Sequence, residues 1–320
     1  MADLHVHKAG WQTTVQDLGR RGFSRAGLSS GGALDEHAYL WANKLLDNSL
    51  NAACIEVLMG QFEAEFDTAT TIAVTGADLG LRLNGKAQAH WCSFRVQPGD
   101  RLQMETPRNG LRAYMGVVGG WQTPLTFNSR STVLREQLGG LDGKALSVGQ
   151  RLAYSVNITH DVPLRCLNPR YIPDYQAPLS VKVIPGYQYD RFSEVTRQRF
   201  FTSEYRVSQR IDRMGYRLEG PAVQANQAPL VSEGIAYGAI QIPQDGQPIV
   251  LLKDRQTIGG YPKMGCLSSL ECSRLSQRAP GSSLAFELSH VATVQAERQL
   301  FDRFFQAGIW HASGRDVHWP

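Results

Sequence analysis

No apolar run in the sequence approaches the roughly 18 residues of a membrane-spanning helix, and its start, MADLHVHKAG, has no apolar core of a secretion signal. A soluble, cytoplasmic protein is therefore expected. The 5 cysteines, Cys54, Cys92, Cys166, Cys266 and Cys272, contain no CxxC pair, which argues against a disulfide framework and a structural zinc site. Reduced thiols packed as small hydrophobes are the expectation. Charge is also sparse, at 19% of residues, and the 33 Lys and Arg are interspersed with 29 Asp and Glu, leaving no basic tract for nucleic acid.

What is present is turn-forming: 31 Gly and 15 Pro separate short apolar runs, a texture of many strands and few helices. A length of 320 residues fits two domains or one large one. Strands are expected at 71–74, 93–96, 113–118, 179–184, 235–242, 249–252 and 283–288. Two helical stripes interrupt them. Ala38, Trp41, Ala42, Leu45 and Leu46 follow Asp35, a suitable N-cap, and Val294, Leu300, Phe301, Phe304 and Phe305 precede Gly308.

An internal echo organises the chain. Gly10, Trp11, Gln12 reappears as Gly186, Tyr187, Gln188, and Ile55 to Gly60 as Glu233 to Gly238. Ile72 to Asp78 is matched by Ile249 to Asp254, and Pro98 to Leu102 by Pro280 to Leu284, always in order and about 175 to 182 positions apart. Two β-rich barrels or rolls from a duplication follow, at 1–170 and 171–320, joined through the proline-bearing stretch 168–178.

Some motifs carry little. Gly27 to Gly31 matches GxSxG without the apolar strand that a nucleophile elbow requires. Gly139 to Lys144 is one residue short of a phosphate loop and ends in Ala145. His5 and His7 share a strand face but have no third ligand nearby, so no metal site is expected.

Three richer segments remain. Gln16, Asp17 and Arg20 offer amide, carboxylate and guanidinium groups before the Ser30 to Asp35 turn; they suit either an anion or amide ligand or a local turn. Arg213, Tyr216 and Arg217 lie in RIDRMGYRLEG, where arginine forks can grip carboxylate or phosphate, or pair with acids across a strand. The densest segment runs from Glu233 through Gln241 and Gln247 to Lys253, Asp254, Thr257, Gly259, Gly260, Tyr261 and Lys263. It offers a base or orienter in Asp254, cations in Lys253 and Lys263, hydroxyls in Thr257 and Tyr261, and backbone open to a ligand at the double glycine.

TVQDLGR, SGGALD, DRMGYRLEGP, GAIQIPQDGQPIVLLKDRQTIGGYPK and SQRAPGSSLAF together resemble the allophanate hydrolase subunit 2, or biotin-dependent carboxyltransferase, family, closest to those members that serve as the C subunit of prokaryotic 5-oxoprolinase. The resemblance implies a mainly β chain of two tandem cyclophilin-like barrels. It implies work with the A and B subunits of that enzyme, the latter of allophanate hydrolase subunit 1 type. Together they would open 5-oxo-L-proline to L-glutamate with ATP used by the complex, and no biotin would be attached to this chain. On that reading Arg213 and Arg217 hold a carboxylate or phosphorylated intermediate, Gln241 and Gln247 bond the amide, and Asp254, Thr257, Tyr261 and Lys263 line the reacting centre. Tyr216, Glu233, Gln16, Asp17, Arg20, Gly259 and Gly260 complete the substrate site. A carboxyltransferase component fed by a separate carboxybiotin carrier, and a regulatory protein antagonising a kinase-inhibiting relative of the B subunit, are the alternatives. Gly143-Lys144, Gln150, Cys266 and Cys272 depart from the family pattern, and Lys lacks the bidentate fork of Arg.

Overall fold

Alternation opens the first strand: in Ala2–Ala9, Ala2, Leu4 and Val6 point inward, and past a register irregularity between Val6 and Lys8 both His7 and Lys8 face solvent, His7 with Nε2 3.2 Å from Glu65 Oε2. The computed structural model describes residues 2–155, 162–225, 230–307 and 316–317. The chain divides into two units, one of Met1–Arg20, Gly31–Tyr175 and Phe305–Pro320, the other of Arg21–Ser30 and Gln176–Phe304. Its described residues are mainly β with 4 helices, none long and apolar enough to cross a membrane.

The first unit holds two seven-stranded sheets. One runs Trp121–Gln122, Arg151–Tyr154, Ala2–Ala9, Phe62–Phe66, Arg101–Met104, Arg82–Leu83, Lys86–Ala87; the other runs Gln12–Gln16, Cys54–Leu58, Asn109–Val117, Thr70–Asp78, Cys92–Val96, Cys166–Leu167, Asp316–Val317. Leu4, Phe62, Phe66, Ile72, Val74, Met115, Trp121 and Leu152 belong to one core cluster, each worth about 1.5–3 kcal/mol of burial. Helix α1 (Glu36–Lys44) is capped by Asp35, which accepts from the Ala38 N–H at 3.1 Å, and its Tyr39, Leu40 and Trp41 are all buried.

In the second unit the strands close into a barrel in the order Leu179–Pro185, Lys263–Leu267, Ala239–Gln241, Ile249–Leu251, Gly215–Glu219, Glu204–Ile211, Ser283–Leu288. Tyr205, Tyr216, Leu218, Ile240, Val250 and Phe286 are buried there. Helix α2 (Glu194–Thr202) stacks Phe200 on Phe286 at 4.3 Å, α3 (Ser269–Ser276) is capped by Ser268, and α4 (Val291–Gln306) ends the described helices.

Several expectations need correction. Cys92 and Cys166 form a disulfide, because strand pairing sets them opposite each other across 74 residues, a relation invisible in cysteine spacing; Cys54, Cys266 and Cys272 are free. The strand expected at 235–242 contracts to Ala239–Gln241, since Gly238 adopts φ +85° and the Ala239 N–H closes a turn onto Ala236 O. Leu300 is 67% exposed and leaves the apolar stripe of α4, and Gly308 lies outside the described residues.

Gly60 turns the chain between Cys54–Leu58 and Phe62–Phe66 at φ +72°, with Glu105 O only 1.6 Å from where a Cβ would stand. Gly99 has a similar φ of +84° but nothing within 4 Å. Gly60→Ala is therefore expected to lower urea stability by about 1–3 kcal/mol more than Gly99→Ala. Equal losses would refute the backbone clash.

Candidate functional site

Two strand pairings in the second unit assemble a polar cluster. Gln241 stands opposite Lys263, after a register irregularity at Ile240 that re-aims the strand end, and Glu233 stands opposite Gly259. Lys263 Nζ lies 2.5 Å from Glu233 Oε1 and 3.4 Å from Tyr261 O. The Lys263 backbone N–H donates to Gln188 Oε1 at 2.8 Å, which leaves Gln188 Nε2 to donate to Glu233 Oε1, also at 2.8 Å. The Tyr187 hydroxyl donates to the other oxygen of Glu233.

Electrostatics follow from these contacts. Burial pushes the Glu233 carboxyl up, but hydrogen bonds from Lys263 and Tyr187 and the Lys263 charge outweigh it and hold the carboxyl below its usual value. The bond to Glu233 raises the Tyr187 phenol, because losing its proton would break that bond. Near neutrality the cluster thus presents a carboxylate and a protonated phenol beside Lys263.

Gln241 is 2% exposed, and its Nε2 has no hydrogen-bond partner among the described residues. Gly259 lies beside it: a Cβ there would stand 3.1 Å from Gln241 Nε2 and 3.3 Å from Gln256 Nε2. A buried donor without an acceptor costs about 1–3 kcal/mol, a penalty that a ligand oxygen would remove.

The family description carboxyltransferase domain, subdomain A and B, matches residues 26–288. The chain belongs to this carboxyltransferase family. It is 34% identical over 310 residues to the 5-oxoprolinase C subunit of Escherichia coli, covering 96% of this chain and 98% of that one. It is 32% identical over 297 residues to the 5-oxoprolinase C subunit of Haemophilus influenzae, covering 91% and 93%. The solved urea carboxylase of Kluyveromyces lactis matches with a TM-score of 0.90 at 24% identity over 99% of this chain, a likeness of fold; the chain spans 30% of that protein.

Within this family member, the sequence-selected residues separate by what they touch. Glu233, Gln241, Gly259 and Lys263 come together, with Gly260 and the half-exposed Tyr261 following on the same segment. Thr257 precedes it, its carbonyl accepting from the Ile235 N–H at 3.0 Å.

Asp254, expected as a base or orienter, is buried in a two-point pair with Arg213, at 2.9 Å to Nε and 3.1 Å to Nη2. Tyr216 is buried in the barrel with its hydroxyl on Ser276 O at 2.9 Å, and Arg217 pairs with Asp245. Gln247 commits its amide to both backbone groups of Gly220, at 2.9 and 3.1 Å.

In the first unit, Gln16, Asp17 and Arg20 are buried and bonded to the 126–132 loop: Gln16 Nε2 reaches Thr132 O at 3.1 Å, Asp17 accepts from Ser129 Oγ at 2.7 Å, and Arg20 Nε donates to Thr126 O at 3.2 Å. Sequence reasoning missed Tyr187 and Gln188, and passed over Gln256 inside the densest segment. The signal for the first two was the Gly-aromatic-Gln echo, which served only to define the repeat.

Two outcomes test this geometry. Asp254→Asn leaves the Arg213 charge buried without its counter-ion and is expected to cost about 3–5 kcal/mol in urea unfolding, largely recovered in Arg213→Met/Asp254→Leu; a cost under ~1 kcal/mol would show the pair to be dispensable. Because the folded Glu233 carboxyl titrates below its unfolded value, its stabilisation is complete above the ordinary carboxylate range and fades as pH falls through the depressed value. The stability difference between wild type and Glu233→Gln should therefore be constant at neutral pH and shrink in acid; a difference that grows in acid would contradict the assignment.

Proposed function

We propose that this chain is the C subunit of an ATP-dependent 5-oxoprolinase, acting with the A and B subunits to convert 5-oxo-L-proline, water and ATP into L-glutamate, ADP and phosphate. The observation that carries this reading is the end-to-end match to the 5-oxoprolinase C subunit of Escherichia coli, 34% identity over 96% of this chain and 98% of that one. The chain works in the cytoplasm as two cyclophilin-like domains of duplicated origin.

The chemistry of the cluster supports the same reading. Opening a lactam places negative charge on the carbonyl oxygen and requires a proton at the ring nitrogen as the C–N bond breaks. Lys263 is assigned to the stabilisation of that charge, with the hydroxyls of Tyr261 and Thr257 bordering the reacting centre. Glu233 and Gln188 hold Lys263 in place, and Arg217, which pairs with Asp245, is assigned to the substrate carboxylate. The Arg213–Asp254 pair frames the turn that leads to Thr257 and Gly259.

ATP belongs to the complex. The glycines of Gly139 to Gly143 do not cradle phosphate: a Cβ on Gly139 would stand 2.1 Å from Ser131 O, on Gly140 1.9 Å from Thr132 Oγ1, and on Gly143 2.0 Å from Gln137 C, so their backbone packs on its own loop.

A second reading, a carboxyltransferase component fed by a separate biotinylated carrier, is favoured by the urea carboxylase fold match at a TM-score of 0.90. Reconstitution with cognate A and B subunits decides between them. ATP-dependent glutamate release without bicarbonate or biotinylated protein is expected, and dependence on both would install the second reading. In that assay Lys263→Met should lower kcat/KM by about 10²-fold or more; a loss under about threefold would remove Lys263 from the reacting centre.

A further inference from the structure

The two sulfurs of the disulfide stand on unequal footings. Cys92 opens the strand Cys92–Val96, which pairs along its length with Thr70–Asp78, and Cys92 is 7% exposed. Trp91 beside it is fully buried, with its backbone N–H on Val74 O at 2.6 Å and its Nε1 on Gly76 O at 3.0 Å. Cys166 belongs to the two-residue strand Cys166–Leu167 and is only half-buried. Few bonds join that strand to its inner neighbour: the Ser93 N–H donates to Arg165 O at 2.8 Å, the Arg165 N–H to Ser93 Oγ at 2.9 Å and the Leu167 N–H to Trp91 O at 2.9 Å. On its other side it pairs with Asp316–Val317. These bonds set Cys166 opposite Cys92 across 74 residues of chain. The remaining thiols do not compete for reagents: burial pushes Cys266 up to about 11 and holds Cys54 and Cys272 well above the ordinary thiol range, so all three stay protonated.

We propose that Cys92 and Cys166 are a reversible redox couple that exchanges with a small disulfide of the glutathione class, Cys166 being the sulfur of entry and Cys92 the resolving one. In closing, the Cys166 thiolate attacks one sulfur of the small disulfide, whose S–S bond breaks; one small thiolate leaves and the other half stays on Cys166 as a mixed disulfide. The Cys92 thiolate then attacks the Cys166 sulfur and expels the second small thiolate. Both cysteine protons end on the departing thiolates, so two cysteine thiols and one small disulfide become one protein disulfide and two small thiols, the cysteines losing the two electrons that the reagent gains. Opening is the reverse, with attack at Cys166, the more accessible sulfur. Closure adds a covalent tie to a strand that otherwise rests on a few backbone bonds. The first unit's main stretch ends shortly afterwards, at Tyr175, so the couple sets how firmly the chain is held before it leaves that unit.

The test uses the full chain, first reduced and then mixed with oxidised glutathione, and reads intact mass and peptide maps. The wild type is expected to close to the internal disulfide without a lasting adduct and to reopen in excess reduced glutathione. Cys92→Ser should trap one glutathione on Cys166, and Cys166→Ser should trap none. A lasting adduct on the wild type, an adduct on Cys92 in Cys166→Ser, or a bond that oxidised glutathione does not form or reduced glutathione does not open, overturns the couple. Should either variant fail to fold, a brief N-ethylmaleimide pulse on the reduced wild type decides. Labelling of Cys166 about tenfold ahead of Cys92, Cys54, Cys266 and Cys272 supports the order of attack, and equal labelling overturns it.

Hydrogen exchange reads the structural consequence. The Ser93 and Leu167 amides, which carry the bonds between the two strands, are expected to exchange about tenfold faster in the reduced chain than in the oxidised one. Amides of Ala239–Gln241 in the second unit should exchange alike in both states. Equal exchange at Ser93 and Leu167, or an acceleration of the same size at Ala239–Gln241, overturns the local tie.

Discussion

The Glu233 carboxylate ties the candidate site together. It receives Lys263 Nζ at 2.5 Å, Gln188 Nε2 at 2.8 Å and the Tyr187 hydroxyl, groups that arrive from the end of the first barrel strand and the start of another. Two ionised oxygens can accept about four such bonds, so one side chain orders three neighbours. The loop of constraints closes on itself because the Lys263 backbone N–H holds Gln188 Oε1 and so dictates which way that amide faces. Lys263 therefore has a fixed position before any ligand arrives, the condition under which a cation stabilises developing charge without reorganising.

Burial divides two ion pairs of the same unit into different roles. Arg213 and Asp254 are 3% and 5% exposed, and each uses both of its facing atoms on the other. Lys263 and Glu233 are 10% and 28% exposed, and their carboxylate also serves a phenol and an amide. The sealed pair braces a turn, with the Asp254 N–H also on Arg213 O at 2.9 Å and Ser29 Oγ donating to Arg255 O at 3.0 Å. Its charges gain little from substrate and lose much if parted. The open pair keeps a path to solvent.

Much of the fold was legible because it is local. The strands at Leu179–Pro185 and Ser283–Leu288 and the Asp35 cap of α1 follow from alternation, apolar runs and one capping side chain. What escaped depends on pairing across long separations. Asp254 stands among lysines in the sequence, and Arg213, 41 residues earlier, faces it in the fold. Cys92 and Cys166 look like unrelated thiols until a strand register joins them. Gln247 and Gln256 are equivalent as residue types, and only a turn that lends Gly220 to one of them separates them. The residue types that crowd this end of the barrel were legible, and their partners were not.

Two buried glutamines differ in whether the chain itself satisfies their amides. Gln16 in the first unit donates to Thr14 Oγ1 at 2.9 Å and Thr132 O at 3.1 Å and accepts the Gly32 N–H at 3.2 Å, and Asp17 next to it accepts from Ser129, Ser131, Gly19 and Arg130. All of that polarity is absorbed in fixing a loop, although the segment looks as rich as any in the sequence. Gln241 in the second unit is as deeply buried, yet its Nε2 finds no acceptor among the described residues. A fold tolerates a penalty of about 1–3 kcal/mol at one atom when something outside the chain removes it. The unfilled donor therefore separates Gln241 from Gln16 more sharply than density of charge does.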